Sequence, residues 1–194
     1  PQSVFVYVNK VGAHFHYQNR YPKDQTHFRP TLDQNEWVND QNRILNSYYN
    51  TIRWNVDSFF QYLLKRLEKK DSLILYTSDH GQSFFDKGLV SPTGIVINPP
   101  KAQANVPLFL IATGSYDSSF RKQNIYAKCN QNKLSHFVIF PTILQLMGYE
   151  KNQVQKFYGK SIFEKNENAR KFISGNLFGR GFFYKNNFVG KGIR

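Results

Sequence analysis

Two hydrophobic patterns alternate along this chain: short unbroken apolar runs, and one long stretch in which apolar residues recur every three or four positions. Ser3 to Val8 reads Ser-Val-Phe-Val-Tyr-Val, β-branched and aromatic, and predicts a buried strand that runs on into Gly12-Ala13-His14. Trp37 to Lys70 predicts a helix, with Leu45, Tyr48/Tyr49, Ile52, Val56, Phe59/Phe60, Leu63 and Leu67 on one face. Lys65, Arg66, Lys69 and Lys70 crowd its end, where cations complement the helix dipole. Leu73 to Tyr76 predicts a second strand, which stops abruptly in Asp79-His80-Gly81. Val106 to Ala112 predicts a third, with Pro107 tolerated at its start. Leu134 to Tyr149 predicts a helix with Ser135 as N-cap, Pro141 near the first turns and Gly148 as the stop. Lys171 to Ser174 and Gly181 to Val189 predict short strands, the latter a hairpin around Asn186-Asn187. Residues 17–30 and 84–101 are loops punctuated by proline and glycine.

The order strand, long helix, strand is a βαβ unit. A right-handed crossover would lay the Ser3 and Leu73 strands parallel in one sheet. His14 and Asp79-His80 would then emerge at one sheet edge, outside the carboxyl ends of strands, where α/β sheets bind ligands. Carboxylate and imidazole together suit a metal ion. The same residues also suit a plain turn, in which Asp79 caps the chain and His80 makes one hydrogen bond.

Composition narrows the choices. A chain of 194 residues with 40% hydrophobic and 16% aromatic content supports one domain with a real core. No apolar run approaches the roughly 20 residues that cross a bilayer. The single cysteine, Cys129, excludes an internal disulfide and a four-cysteine zinc site. The formal net charge is +13 and is uneven: residues 1–117 hold 12 Lys/Arg against 10 Asp/Glu, and residues 118–194 hold 14 against 3. Such a basic segment attracts phosphate-rich partners, although lysine-rich coding habits produce the same excess. Nucleic acid is not the expected partner, for there is no zinc-finger spacing, no RNP-like string and no basic block longer than Lys69-Lys70.

Four stretches, in order, resemble the sulfatase/alkaline-phosphatase superfamily, and within it the bacterial phosphoethanolamine transferases that modify lipopolysaccharide. They are Val11-Gly12-Ala13-His14 with Arg20-Tyr21-Pro22; Asn46-Ser47-Tyr48-Tyr49-Asn50-Thr51-Ile52 with Asp57; Tyr76-Thr77-Ser78-Asp79-His80-Gly81-Gln82; and Val106-Pro107-Leu108 with Ser135-His136 and Pro141-Thr142-Ile143-Leu144. The likeness covers most of residues 3–148. It implies an α/β fold of three layers, a mostly parallel sheet flanked by helices, with residues 1–194 forming the C-terminal part of one catalytic domain. The upstream half and any membrane region would lie outside this chain.

The resemblance further implies a divalent cation, zinc above all, held by Asp79 and His80. It also implies a phospholipid donor of phosphoethanolamine, a lipid A or lipopolysaccharide acceptor, and work at the periplasmic face of the inner membrane. His14 matches a histidine that contacts substrate phosphate or a second metal. The family's nucleophilic Thr and an acidic ligand precede the strand that opens this chain, so no catalytic nucleophile is expected here. Thr51 falls mid-helix and Thr77 inside a strand, and neither matches the nucleophile's position. Thr93-Gly94 stands where the family has His-Gly, which leaves Thr93 as a weak candidate for substrate contact, and Gln82 replaces a usual Glu. Alone, the chain is expected to be inactive and to bind metal weakly. Rival readings are a sulfatase or phosphoglycerol transferase, an inactive binding member, and a basic module for nucleic acid or anionic lipid.

Overall fold

The Ser3–Val8 run is where expectation and structure part. In the computed structural model, which describes residues 3–34, 36, 39–85, 101–129, 134–165, 171–174 and 182–185, this segment belongs to no strand. Val4 is 81% and Tyr7 78% exposed. A strand is stable only with a hydrogen-bonded neighbour and a covered face, and among the described residues this one has no ladder. The expected parallel pairing of Ser3–Val8 is not among the ladders of the described residues. The chain divides into two units, residues 1–68 with 84–92, and residues 69–83 with 93–194.

The first unit is built on a long helix. It starts at Gln41, because Asp40 caps it by accepting from the Arg43 amide at 3.1 Å. Trp37, placed at its start by the hydrophobic pattern, lies outside the described residues. Helix α1 (Gln41–Ile52) passes through a π-helical turn (Arg53–Ser58) into α2 (Phe59–Leu67). The stripe from Leu45 to Leu67 is half-buried except for the exposed Tyr49. The deepest positions are Ile44, Ser47, Asn50 and Thr51, so the buried face is largely polar. Those polar groups hold the loop that precedes the helix. The Asn50 side chain accepts from the His27 and Phe28 amides at 2.8 and 2.9 Å and donates to the Phe28 carbonyl at 2.9 Å. Ser47 Oγ accepts from the Leu32 amide, and Thr51 Oγ1 donates to the Tyr17 carbonyl, each at 2.9 Å. An apolar cluster of Tyr17, Leu32 and Ile44, flanked by Phe15, Tyr48, Phe84 and Phe85, completes the unit's core.

The second unit contains β1 (Ser72–Thr77) and β2 (Leu108–Thr113), paired antiparallel from Ser72↔Thr113 to Thr77↔Leu108. This two-stranded sheet is antiparallel. Short α3 (Lys101–Ala104) precedes β2. After β2, Gly114 turns at φ +61° into α4 (Ser115–Lys122), and α5 (Ile125–Cys129) follows. A side chain at Gly114 would be strained by that φ and would strike the Lys70 backbone. The Asp71 carboxylate accepts from the Ser115 amide at 2.7 Å, and this bond holds its pKa below the usual carboxylate range.

The predicted Leu134–Tyr149 helix is a 3₁₀ turn (His136–Val138) leading into α6 (Ile139–Leu146), with Gly148 at φ +90° beyond its end. Ser135 occupies the N-cap position without a side-chain cap bond. Helix α7 (Lys151–Tyr158), absent from the hydrophobic reading, packs beside α6. Val138, Thr142, Val154 and Ile162 are buried around this pair. The Thr142 hydroxyl donates to the Val138 carbonyl and accepts from the Ile162 amide at 3.0 Å. Strands β3 (Lys171–Ser174) and β4 (Phe182–Lys185) pair antiparallel. The partner of β4 is therefore β3, while the expected turn at Asn186-Asn187 lies outside the described residues.

Candidate metal centre

Strand β1 delivers the Asp79-His80 pair. Its last residue, Thr77, is opposite Leu108 in the ladder, and the chain leaves the sheet at Ser78. Gly81 then closes against the α3 segment, its amide donating to the Gln103 carbonyl at 2.8 Å. A side chain at Gly81 would collide with the Ala102 carbonyl and come within 2.9 Å of the Asn105 carbonyl. Glycine is thus required by the close approach of two backbones. Residues 78–81 form a short bridge held at both ends, and Asp79 and His80 project from it, 89% and 43% exposed.

Hydrogen-bond accounting assigns the free lone pairs of that pair. Asp79 Oδ1 accepts from the His80 amide at 2.9 Å, so Oδ2 carries the unused acceptor capacity. His80 Nδ1 lies 2.9 Å from the Gly81 carbonyl oxygen. A carbonyl only accepts, so Nδ1 carries the proton, and Nε2 is the ring nitrogen left to present a lone pair to a metal. Nε2 and Oδ2 are 3.7 Å apart. Two donors each about 2.0–2.2 Å from a tetrahedral zinc lie roughly 3.4 Å from one another. The donor set therefore fits two positions of a divalent-cation site, and the Nδ1–H to carbonyl bond is the outer contact that orients metal-binding imidazoles. Among the described residues, no group of three or more His, Cys, Asp or Glu assembles to complete such a site.

The remaining predicted residues fare differently. His14 belongs to the first unit, is exposed, and has Nδ1 2.6 Å from the Phe15 carbonyl. Thr93 lies outside the described residues. Thr51 is fully buried and hydrogen-bonded within the first unit.

Sequence reasoning passed over one residue in this region. His136, at the head of the 3₁₀ turn before α6, places Nε2 3.2 Å from Thr77 Oγ1, two residues before Asp79. It was visible as one of only five histidines, and it sits in a family-like stretch. No local pattern, however, ties residue 136 to residue 77.

With this geometry in place, the relationships of the chain are informative. The sulfatase family model matches residues 1–149, and the chain belongs to that family. It is similar to the Kdo(2)-lipid A phosphoethanolamine 7''-transferase of Salmonella typhimurium, 25% identical over 74% of this chain and 26% of the relative. It is also similar to the phosphoethanolamine transferase EptA of Escherichia coli, 29% identical over 77% of this chain and 29% of the relative. Among solved structures it resembles the integral membrane protein lipooligosaccharide phosphoethanolamine transferase A (EptA) of Neisseria meningitidis. That match has a TM-score of 0.57 and 28% identity, and covers 71% of this chain and 27% of the other. The fold is accordingly α/β of the alkaline-phosphatase type. The chain spans little more than a quarter of the length of these relatives. Among the described residues, no helix is long and apolar enough to cross a membrane.

Proposed function

We propose that this chain is part of a phosphoethanolamine transferase acting on lipid A or a related lipopolysaccharide acceptor, with Asp79 and His80 holding a divalent cation, zinc by preference. The observation that carries this reading is the facing of Asp79 Oδ2 and His80 Nε2 at 3.7 Å, at the end of a strand in a sulfatase-family chain. The names of the relatives supply the transferred group and the acceptor class. When bound, the cation would stabilise an alkoxide nucleophile and the charge on a phosphoryl oxygen. The chain's own residues orient that centre. The Asp79 carboxylate is aimed by the His80 amide, the His80 ring is set by the Gly81 carbonyl, and Gly81 is seated against the 102–105 backbone.

The nucleophilic Thr and the acidic ligand belong, on this proposal, to parts of the protein outside this chain, so the chain by itself has no transferase activity and holds metal weakly. The donor is a phospholipid. On the family resemblance alone, His14 is proposed as a contact for substrate phosphate, with Thr93 in a minor part. The protein works at the periplasmic face of the inner membrane, where the basic 118–194 segment leans on anionic lipid. The test is metal content and phosphoethanolamine transfer to lipid A by the full-length protein, with and without Asp79→Ala and His80→Ala. Stoichiometric zinc and normal turnover in both variants would exclude the site.

A further inference from the structure

We infer that His136 is a positioning residue for the Asp79-His80 bridge, acting through Thr77; this rests on the metal-site reading proposed above. Thr77 is the last ladder residue before the bridge, and its hydroxyl is a junction. Oγ1 lies 2.8 Å from the Pro107 carbonyl oxygen, 3.2 Å from the Ser78 carbonyl oxygen and 3.2 Å from His136 Nε2. A hydroxyl carries one proton and two acceptor lone pairs. A carbonyl cannot donate, so the proton goes to a carbonyl, and the shorter contact selects Pro107. The hydroxyl then has only lone pairs left for the imidazole. His136 must therefore donate its Nε2–H to Thr77 Oγ1.

This arrangement ties three segments of the second unit at one oxygen: the end of β1, the residue before β2, and the first residue of the turn leading into α6. The ladder ends at Thr77↔Leu108, so no further strand bonds hold residues 78–80. At the other end of the bridge, the Gly81 amide is fixed to Gln103. Thr77 is the matching anchor at the near end, and His136 with Pro107 decides where it points. An anchor two residues from a carboxylate ligand acts on ligand orientation, and loss of such outer contacts typically weakens metal binding about 10–100-fold.

The donor role makes the proposal specific. In the full-length protein, His136→Ala should weaken zinc affinity, read by chelator competition, about tenfold, the low end of that range for a contact one residue removed. The same variant should speed amide hydrogen exchange at residues 78–80 while the melting midpoint of the protein holds. His136→Gln, which keeps an N–H donor, should recover most of the affinity. Thr77→Val keeps the side-chain shape but removes the junction, so it should weaken zinc at least as much, and adding His136→Ala to it should cost nothing further. Asp79→Ala serves as the reference for the metal reading itself. If Asp79→Ala abolishes zinc binding while His136→Ala binds as the wild type does, the positioning role is overturned and the metal site stands. If Asp79→Ala keeps its zinc, both fall. Equal losses in His136→Ala and His136→Gln together with a lowered melting midpoint, or additive losses in the double variant, would reduce His136 to a packing residue and overturn the proposal.

Discussion

The two units handle polar residues in opposite ways. In the first, Ser47, Asn50 and Thr51 are buried on the face of α1, and every contact described for them goes to nearby backbone, chiefly the 17–32 loop. In the second, Asp79 and His80 stand in solvent, each with one polar atom engaged locally and the other facing its neighbour. Both sets lie in stretches that resemble the same family. Burial with hydrogen bonds to the loop marks the first as its frame. Exposure with lone pairs left facing each other is what supports the second as the proposed metal site. Residue type and family likeness alone do not separate the two; the accounting of donors and acceptors does.

The sharpest break of this contrast is at Asp79. On the proposed metal-site reading, Asp79→Ala or His80→Ala in the full-length protein should lower phosphoethanolamine transfer by more than about 100-fold, since outer contacts to metal ligands alone are worth up to that much. The melting curve should barely move, because exposed side chains contribute little to stability. Asn50→Ala should do the reverse. It strips partners from two amides and one carbonyl, so unfolding free energy should fall by about 3 kcal/mol or more in a denaturant titration, with metal affinity unchanged. An Asn50 variant of wild-type stability would erase the distinction between the units.

Gly81→Ala tests the bridge from its far end. The added methyl meets the Ala102 and Asn105 carbonyls, so the bridge must shift. Zinc affinity should drop roughly 10-fold or more, as expected when the supports of a metal ligand move.

A smaller effect concerns pH. Burial would raise the Glu164 pKa, but hydrogen bonds from Ser161 and Gln145 and the charge of Lys151 outweigh it and leave it below 4.5. A carboxyl lowered on folding contributes stability that is full above its unfolded value and drains as pH falls through the folded one. Glu164→Gln should therefore cost about 1–3 kcal/mol at pH 7, and less as the pH falls through the folded-state pKa. A stability difference between wild type and variant that stays constant with pH would remove Glu164 from this role.

Local signals carried well where structure is local. The strand at Leu73 is present because a β-branched and leucine run bounded by Asp71 and Ser78 has little alternative, and β2 falls where Val106–Ala112 pointed. The long helix was legible from its period, while its start was not, since the capping bond from Asp40 outweighs the apolar residue at 37. Helix α7 escaped notice because Lys151–Tyr158 buries one residue, Val154, which is too little for a visible stripe. Of the site, the Asp79-His80 pair was legible and the His136 contact was not, because hydrogen bonds across 59 residues leave no periodic trace.

By itself, then, the sequence determined family membership, the positions of β1 and β2, the long helix, and the presence of carboxylate, imidazole and glycine at a strand end. Those depend on residue type and near-neighbour spacing, which the chain carries in order. Tertiary structure decided the antiparallel pairing of β1 with β2, the burial of Asn50, and the meeting of Thr77 with His136. Each of these is a choice of partner. A backbone amide, a carbonyl or a hydroxyl is the same group wherever it falls, and only the folded chain determines which one it meets.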